Sequence, residues 1–185
     1  MKAVSILLLF SLLSFFSASA QWGNSYEKGR YLDSLHKDYL FDQNKRGLLA
    51  KVVQQKINVD NDGELAAFAE LLTFISSIDH DQASVDPFYA KIGTVYKAYP
   101  NIQAMCYQTV GYYYFVVRVN YEKAFSAYLK LEKLLEVYPA TVITNYAGYC
   151  AEISSAYYKF KDFKKAIELG KSGVVHASNQ WDFYN

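Results

Sequence analysis

From Asp162 onward the apolar and polar positions of the chain separate with helical period. Phe163, Ala166, Ile167 and Gly170 share one face, while Lys164, Lys165, Glu168 and Lys171 take the other. Asp162 precedes them as a natural N-cap, its carboxylate able to accept the free N–H groups of the first turn. The spacing predicts a helix over 163–178. An upstream stretch, GYYYFVVRVNYEKAF at 111–125, poses the opposite case. Three tyrosines, a phenylalanine and three valines fall between Tyr112 and Val119, a run that local propensity assigns to a strand.

Internal similarity resolves the conflict. Shifted by 42 residues, Ala124 meets Ala166, Tyr121 meets Phe163, Asn120 meets Asp162, and the pair Phe115/Val116 meets Tyr157/Tyr158. Each copy has an aromatic-rich segment, a polar break, an aromatic, charged residues and an alanine, and such self-similarity marks a repeat. Since the second copy is helical by its period, the first is expected to be helical too: one helix ends over 111–118, the chain turns at Val119 and Asn120, and the next helix starts at Tyr121. Tertiary context then overrides the strand propensity. A fainter echo joins VYKAYPN at 95–101 with LLEVYPA at 134–140, where Pro100 and Pro139 mark the end of one hairpin and the start of the next.

The expected helices are 63–77, 87–99, 102–118, 121–138, 142–160 and 163–178, with an acidic loop, IDHDQASVD, at 78–86. Upstream, helices are expected at 25–41 and 45–57. Four segments follow: 1–20, an N-terminal helical segment at 21–62, the repeats at 63–178, and the start of a further repeat helix at 179–185. The last repeat pair lacks a polar cap, which arrays of this kind normally carry. Its open face is expected to be covered by a partner, by self-association or, as the favoured reading, by more chain in a longer protein.

The first twenty residues change the compartment. Lys2, an apolar stretch over 6–16 and the small residues Ala18 and Ala20 have the layout of a secretory signal peptide, with Gln21 as the expected new N-terminus. The apolar run is shorter than the ~20 residues that span a bilayer. The expected product is exported, periplasmic or extracellular, with no membrane span. Removal of Lys2 lowers the formal net charge from +1 to zero. No basic excess or stripe of the kind nucleic-acid binders carry is present. Export permits a disulfide. Cys106 and Cys150, however, fall in first helices of separate repeats, which pack ~8–10 Å apart against the ~4.4–6.8 Å a bridge needs. Two buried thiols are expected.

Ser154, Tyr157, Phe163 and Ala166, with Tyr121 and Ala124 in the preceding copy, resemble the tetratricopeptide repeat family at its small-residue, helix-A tyrosine, helix-B aromatic and helix-contact positions. The first copy departs in carrying Tyr112 on the small-residue position, with Gly111 one place off, and the second in carrying Gly170 and Gly173 where the family prefers an aromatic and an alanine. The resemblance implies an all-α fold, a right-handed solenoid of antiparallel helix hairpins following the cleaved leader. Its concave face, lined by first helices, would hold a peptide or protein segment. Tyr107, Tyr114, Tyr146 and Tyr149 belong to those helices and are the ligand-binding candidates.

Other chemistry is weakly signalled. NVDNDGELAAFAE at 58–70 imitates a calcium loop, but its twelfth place is Ala69 rather than a bidentate carboxylate, so a turn and a helix start are expected instead. His36, His80 and His176 show no paired-ligand spacing, and the DHD at 79–81 reads as a solvated loop. Ser34 and Lys37 form an S-x-x-K without the companion motifs of acyl-transfer enzymes. No enzyme, metal or cofactor is expected. The expected function is a non-catalytic protein-interaction scaffold, the sensory N-terminal part of a larger signalling protein. The alternatives are a free-standing adaptor and a glycan- or peptide-binding module.

Overall fold

The computed structural model describes residues 25–41, 62–77 and 85–182. The expected leader, the helix at 45–57, the acidic loop at 78–84 and the last three residues of the chain lie outside the described residues. Within them the protein is all-helical and contains no strand. The helices are α1 (Ser25–Phe41), α2 (Gly63–Ser77), α3 (Val85–Ile92), α4 (Pro100–Tyr112), α5 (Tyr121–Val137), α6 (Tyr146–Lys159) and α7 (Phe163–Asp182). A π-helical segment, Tyr113–Val117, extends α4. The valine- and tyrosine-rich run is therefore helix, not strand.

From α2 onward, helices consecutive in the chain run antiparallel, while α1 lies parallel to α4, with Gly29 near Asn101 and His36 against Thr109. Phe74 of α2 stacks on Phe88 of α3 with ring centroids 3.8 Å apart, and Gln103 of α4 donates to the Ile92 carbonyl that ends α3 at 2.9 Å. In the last pair Tyr158 meets Phe163, Ser154 meets Ala166, and Tyr146 meets His176, so contact runs the length of both helices. At the centre is α4, whose residues from Asn101 to Tyr107 are all buried. It packs against α1, α2, α3 and α5. A helix apolar on every side belongs inside, and its polar members are each bonded. Leu32 of α1 is fully buried in the same core as α2 to α7, so α1 shares one hydrophobic cluster with the repeats.

Several boundaries differ from the periodicity, and at the end of α3 and the start of α6 side chains take backbone groups that a longer helix would use. The expected helix 87–99 starts two residues earlier at Val85, drawing Val85 and Asp86 out of the expected loop, and stops at Ile92. Beyond it Thr94 Oγ1 donates to the carbonyls of Ala90 and Lys91, and Gln103 occupies that of Ile92. Pro100 opens α4 at its first turn, where a missing N–H costs nothing. The expected helix 142–160 begins only at Tyr146. Asn101 explains the delay: its Nδ2 donates to the Val142 carbonyl at 3.0 Å and its Oδ1 accepts from the Thr144 N–H at 3.0 Å.

The two repeat copies share a turn. Val119 has φ 52° and Lys161 φ 63°, both left-handed, 42 residues apart. Each is followed by a capping residue: Asn120 accepts from the Lys123 N–H and Asp162 from the Lys165 N–H, both at 3.1 Å. The copies differ by one residue upstream of the turn. Arg118 N–H reaches back five residues to the Tyr113 carbonyl, and Asn120 N–H six to Tyr114, where Asp162 N–H reaches only five to Tyr157. The π-helical turn accommodates that extra residue.

Candidate functional site

The tyrosines nominated as binding residues are placed inside the fold. Tyr149 is fully buried on α6. Tyr114 is buried and donates to Asp86 Oδ1 at 2.8 Å, and Tyr107 is buried edge-on to Tyr89. Tyr146 is half-buried, donating to the Leu135 carbonyl at 3.1 Å with its ring against His176. These rings pack helix on helix, because α4 and the inner side of α6 are enclosed by their neighbours.

Of the repeat positions, Ala124, Tyr157 and Ala166 are buried at helix contacts. Ser154 Oγ donates to the Ala166 carbonyl at 2.7 Å, which lets α6 and α7 approach closely. Tyr121 and Phe163 stand half-exposed at equivalent helix starts. Tyr121 is covered in part by Phe115 and Phe160, with centroids 5.3 and 6.3 Å away.

On the outer side of the last pair lies an open groove of about 900 Å³. Its apolar lining comes from Tyr158, Phe163, Ile167 and Val174, which are 62, 52, 58 and 71% exposed, together with Ala166 and Gly170. Exposed apolar side chains this contiguous are uncommon on a monomer and mark interaction surfaces. Ser154 and Ser155 line it too, but their hydroxyls are spent on the carbonyls of Ala166 and Ala151. Lys159 and Lys171 flank the groove, neither ion-paired among the described residues, and no lining residue is acidic.

The polar groups away from the groove are held in capping bonds and ion pairs. Asp62 caps α2, its Oδ1 accepting from the N–H groups of Glu64 and Leu65, and forms an ion pair with Lys28 at 2.6 Å. That is the helix start expected in place of a calcium loop. Burial opposes both charges, but the mutual bonds outweigh it, holding Lys28 above and Asp62 below their ordinary values. Lys37 of the S-x-x-K bridges to Asp33 at 2.7 Å, and Ser34 is exposed. Cys106 and Cys150 are buried thiols, and burial raises both well away from ready ionisation. Among the described residues no group of three His, Cys, Asp or Glu side chains is placed to hold a metal ion, and no helix is long and apolar enough to cross a membrane.

Sequence reasoning missed the buried polar set. His36 is buried with Nε2 3.1 Å from Thr109 Oγ1. Since the Thr109 hydroxyl donates its single proton to the Met105 carbonyl at 2.8 Å, His36 is the donor and carries its proton on Nε2. Burial, and then Lys37, push its pKa down to about 3. Glu152 accepts from Gln108 at 2.5 Å and from Tyr128 at 3.2 Å, and burial raises its carboxyl despite both donors. No protein-family model, curated protein or solved structure matches this chain.

Proposed function

We propose that this protein is a non-catalytic scaffold of tetratricopeptide-like helical hairpins, stacked as a right-handed solenoid, that binds another protein. The observation that carries the reading is the apolar groove on the α6–α7 pair, at the end of a series of antiparallel helices whose earlier pairs are covered by the next helix. Support for the repeat comes from the matched left-handed turns at Val119 and Lys161 and the matched caps at Asn120 and Asp162. Buried, hydrogen-bonded polar groups favour a structural role over a catalytic one. The leader expected at 1–20 supports work outside the cytoplasm, and the family resemblance supports a sensory or adaptor role there.

The test is in the producing cell. A photo-crosslinking residue is placed in turn at Ile167, Glu122 and Lys97, three exposed positions on different helices and connections. The scaffold reading expects a discrete adduct with another protein from at least one position. Absence of any adduct across the whole exposed surface, scanned in the same way, would sink it.

A further inference from the structure

The α6–α7 groove has an internal counterpart on α5 that α6 fills in part, over Phe125, Tyr128 and Glu132, while Val116, Val117 and Leu129 stay exposed. Forty-two residues upstream of Phe163, Ile167, Gly170 and Val174 stand Tyr121, Phe125, Tyr128 and Glu132 on α5. All four are engaged by α6. Phe160 lies 6.3 Å from Tyr121 and 4.6 Å from Phe125, and Tyr157 lies 5.0 Å from Phe125. Tyr128 donates to Glu152, and Glu132 accepts from the Tyr157 hydroxyl. On α7 no further helix among the described residues covers the equivalent positions, and Phe163 meets Tyr158 of its own pair.

Resting on the scaffold reading, we propose that the groove seats one amphipathic α-helix of a partner protein, lying as α6 lies on α5, with a bulky apolar stripe edged by carboxylates. The chemistry follows from what differs between the two grooves. Where α5 offers Glu132 to a tyrosine hydroxyl, α7 offers Val174, so the occupant is apolar there. Where α5 fills space with Tyr128, α7 has Gly170, whose missing Cβ would meet only Ser154 Oγ at 3.5 Å. A large side chain of the occupant fits over it. The counterparts of Lys159 and Lys171 are Val117 and Leu129. Two apolar places have thus become cations with no acid in the lining, and charge of one sign at a rim selects the opposite sign across it.

The probe is an 18-residue synthetic helix with Leu and Phe on one stripe, Glu on both edges and Ala elsewhere, titrated against the full chain at low salt. Its companion has every Glu replaced by Lys. The Glu helix is expected to bind roughly tenfold or more tightly than the Lys helix, with the gap closing as salt rises. Ile167→Asp is expected to abolish binding of both, and Lys159→Glu with Lys171→Glu to reverse the preference. The proposal is overturned by no binding of either helix, by equal binding of both, or by a chain that self-associates until Ile167→Asp makes it monomeric, which assigns the groove to a second copy. A large loss of stability in Ile167→Asp also overturns it, since the face is then covered by this chain itself. A cellular crosslink from another face alongside any of these leaves the scaffold reading standing and removes only the groove.

Discussion

Tyr157 donates its hydroxyl to Glu132 at 2.7 Å across the buried contact between α5 and α6. The other carboxylate oxygen of Glu132 pairs with Lys165 of α7 at 2.9 Å, so one acid ties three helices. Tyr157→Phe removes a bond to a charged, buried acceptor and is expected to cost about 2 kcal/mol of unfolding free energy in urea. Lys165, a third exposed, has its pKa raised mainly by the bond to Glu132, but solvent screens the pair; Lys165→Met is expected to cost less than about 1 kcal/mol. Equal losses from both substitutions would mean that the ion pair, not the hydroxyl, holds the contact.

The same arrangement recurs along the chain and accounts for part of its tyrosine content. Tyr96, in the turn after α3, bonds to Glu70 of α2, Tyr114 to Asp86 of α3 and Tyr128 of α5 to Glu152 of α6, each joining different elements. The sequence holds 18 tyrosines, but their use was not legible in it, because nothing in the spacing of Glu132 and Tyr157 pairs them. The helices themselves were legible where period decides: Gly63–Ser77 and the start of α7 at Asp162 fall where the pattern puts them. The C-terminal end of α3 and the start of α6 were not, since Gln103 and Asn101 act through bonds that only the folded arrangement creates. The open face of the last pair was expected from the missing cap, while its lysine rim emerges only when α6 and α7 are set side by side.

Gly111 and Gly170 stand on opposite sides of equivalent helix contacts, Gly111 facing Tyr128 and Gly170 facing Ser154, and the structure gives them opposite tolerances. A Cβ on Gly111 would lie 2.7 Å from Cε1 and 2.9 Å from Cζ of Tyr128, a buried ring held by Glu152. The small-residue position of the first copy is thus filled by Gly111, one residue early because the π-helical turn intervenes. Gly111→Ala is expected to lose about 1–2 kcal/mol despite the better helix propensity of alanine. Gly170→Ala meets only ordinary contact and is expected to gain up to about 1 kcal/mol. Chemical denaturation of the two variants checks the contrast, and a loss in both would show that α7 cannot take a Cβ on its groove face.

Val119 holds a left-handed φ with a β-branched side chain, the least tolerant type for that region. Replacing it with glycine removes a penalty of about 1–2 kcal/mol, offset in part by the greater freedom of an unfolded glycine. Val119→Gly is therefore expected to raise stability by about 1 kcal/mol. Lys161→Gly, in the matching turn but unbranched, is expected to gain less. Thermal unfolding ranks the two, and a destabilised Val119→Gly would mean that the exposed valine makes contacts worth more than its backbone strain.

His36 gives the protein a pH dependence with a definite sign. Its pKa falls from an ordinary 6.5 to about 3 on folding, through burial and then Lys37. Between those values the unfolded chain holds more protons than the folded one, so stability rises with pH across the window and falls on acidification below about 6.5, by up to about 1.4 kcal/mol per pH unit. Glu152 acts the other way. Its folded carboxyl is raised by burial, so just above its ordinary 4.5 the folded state holds the extra proton and stability falls as pH rises. Comparing the native chain with His36→Gln isolates the histidine, since Glu152 is common to both and glutamine can still donate toward Thr109. Urea midpoints measured from pH 7 to pH 4.5 are expected to fall more steeply for the native chain. Parallel curves would show that His36 takes up its proton in the folded state as readily as in the unfolded one, and that its contact with Thr109 opens to water.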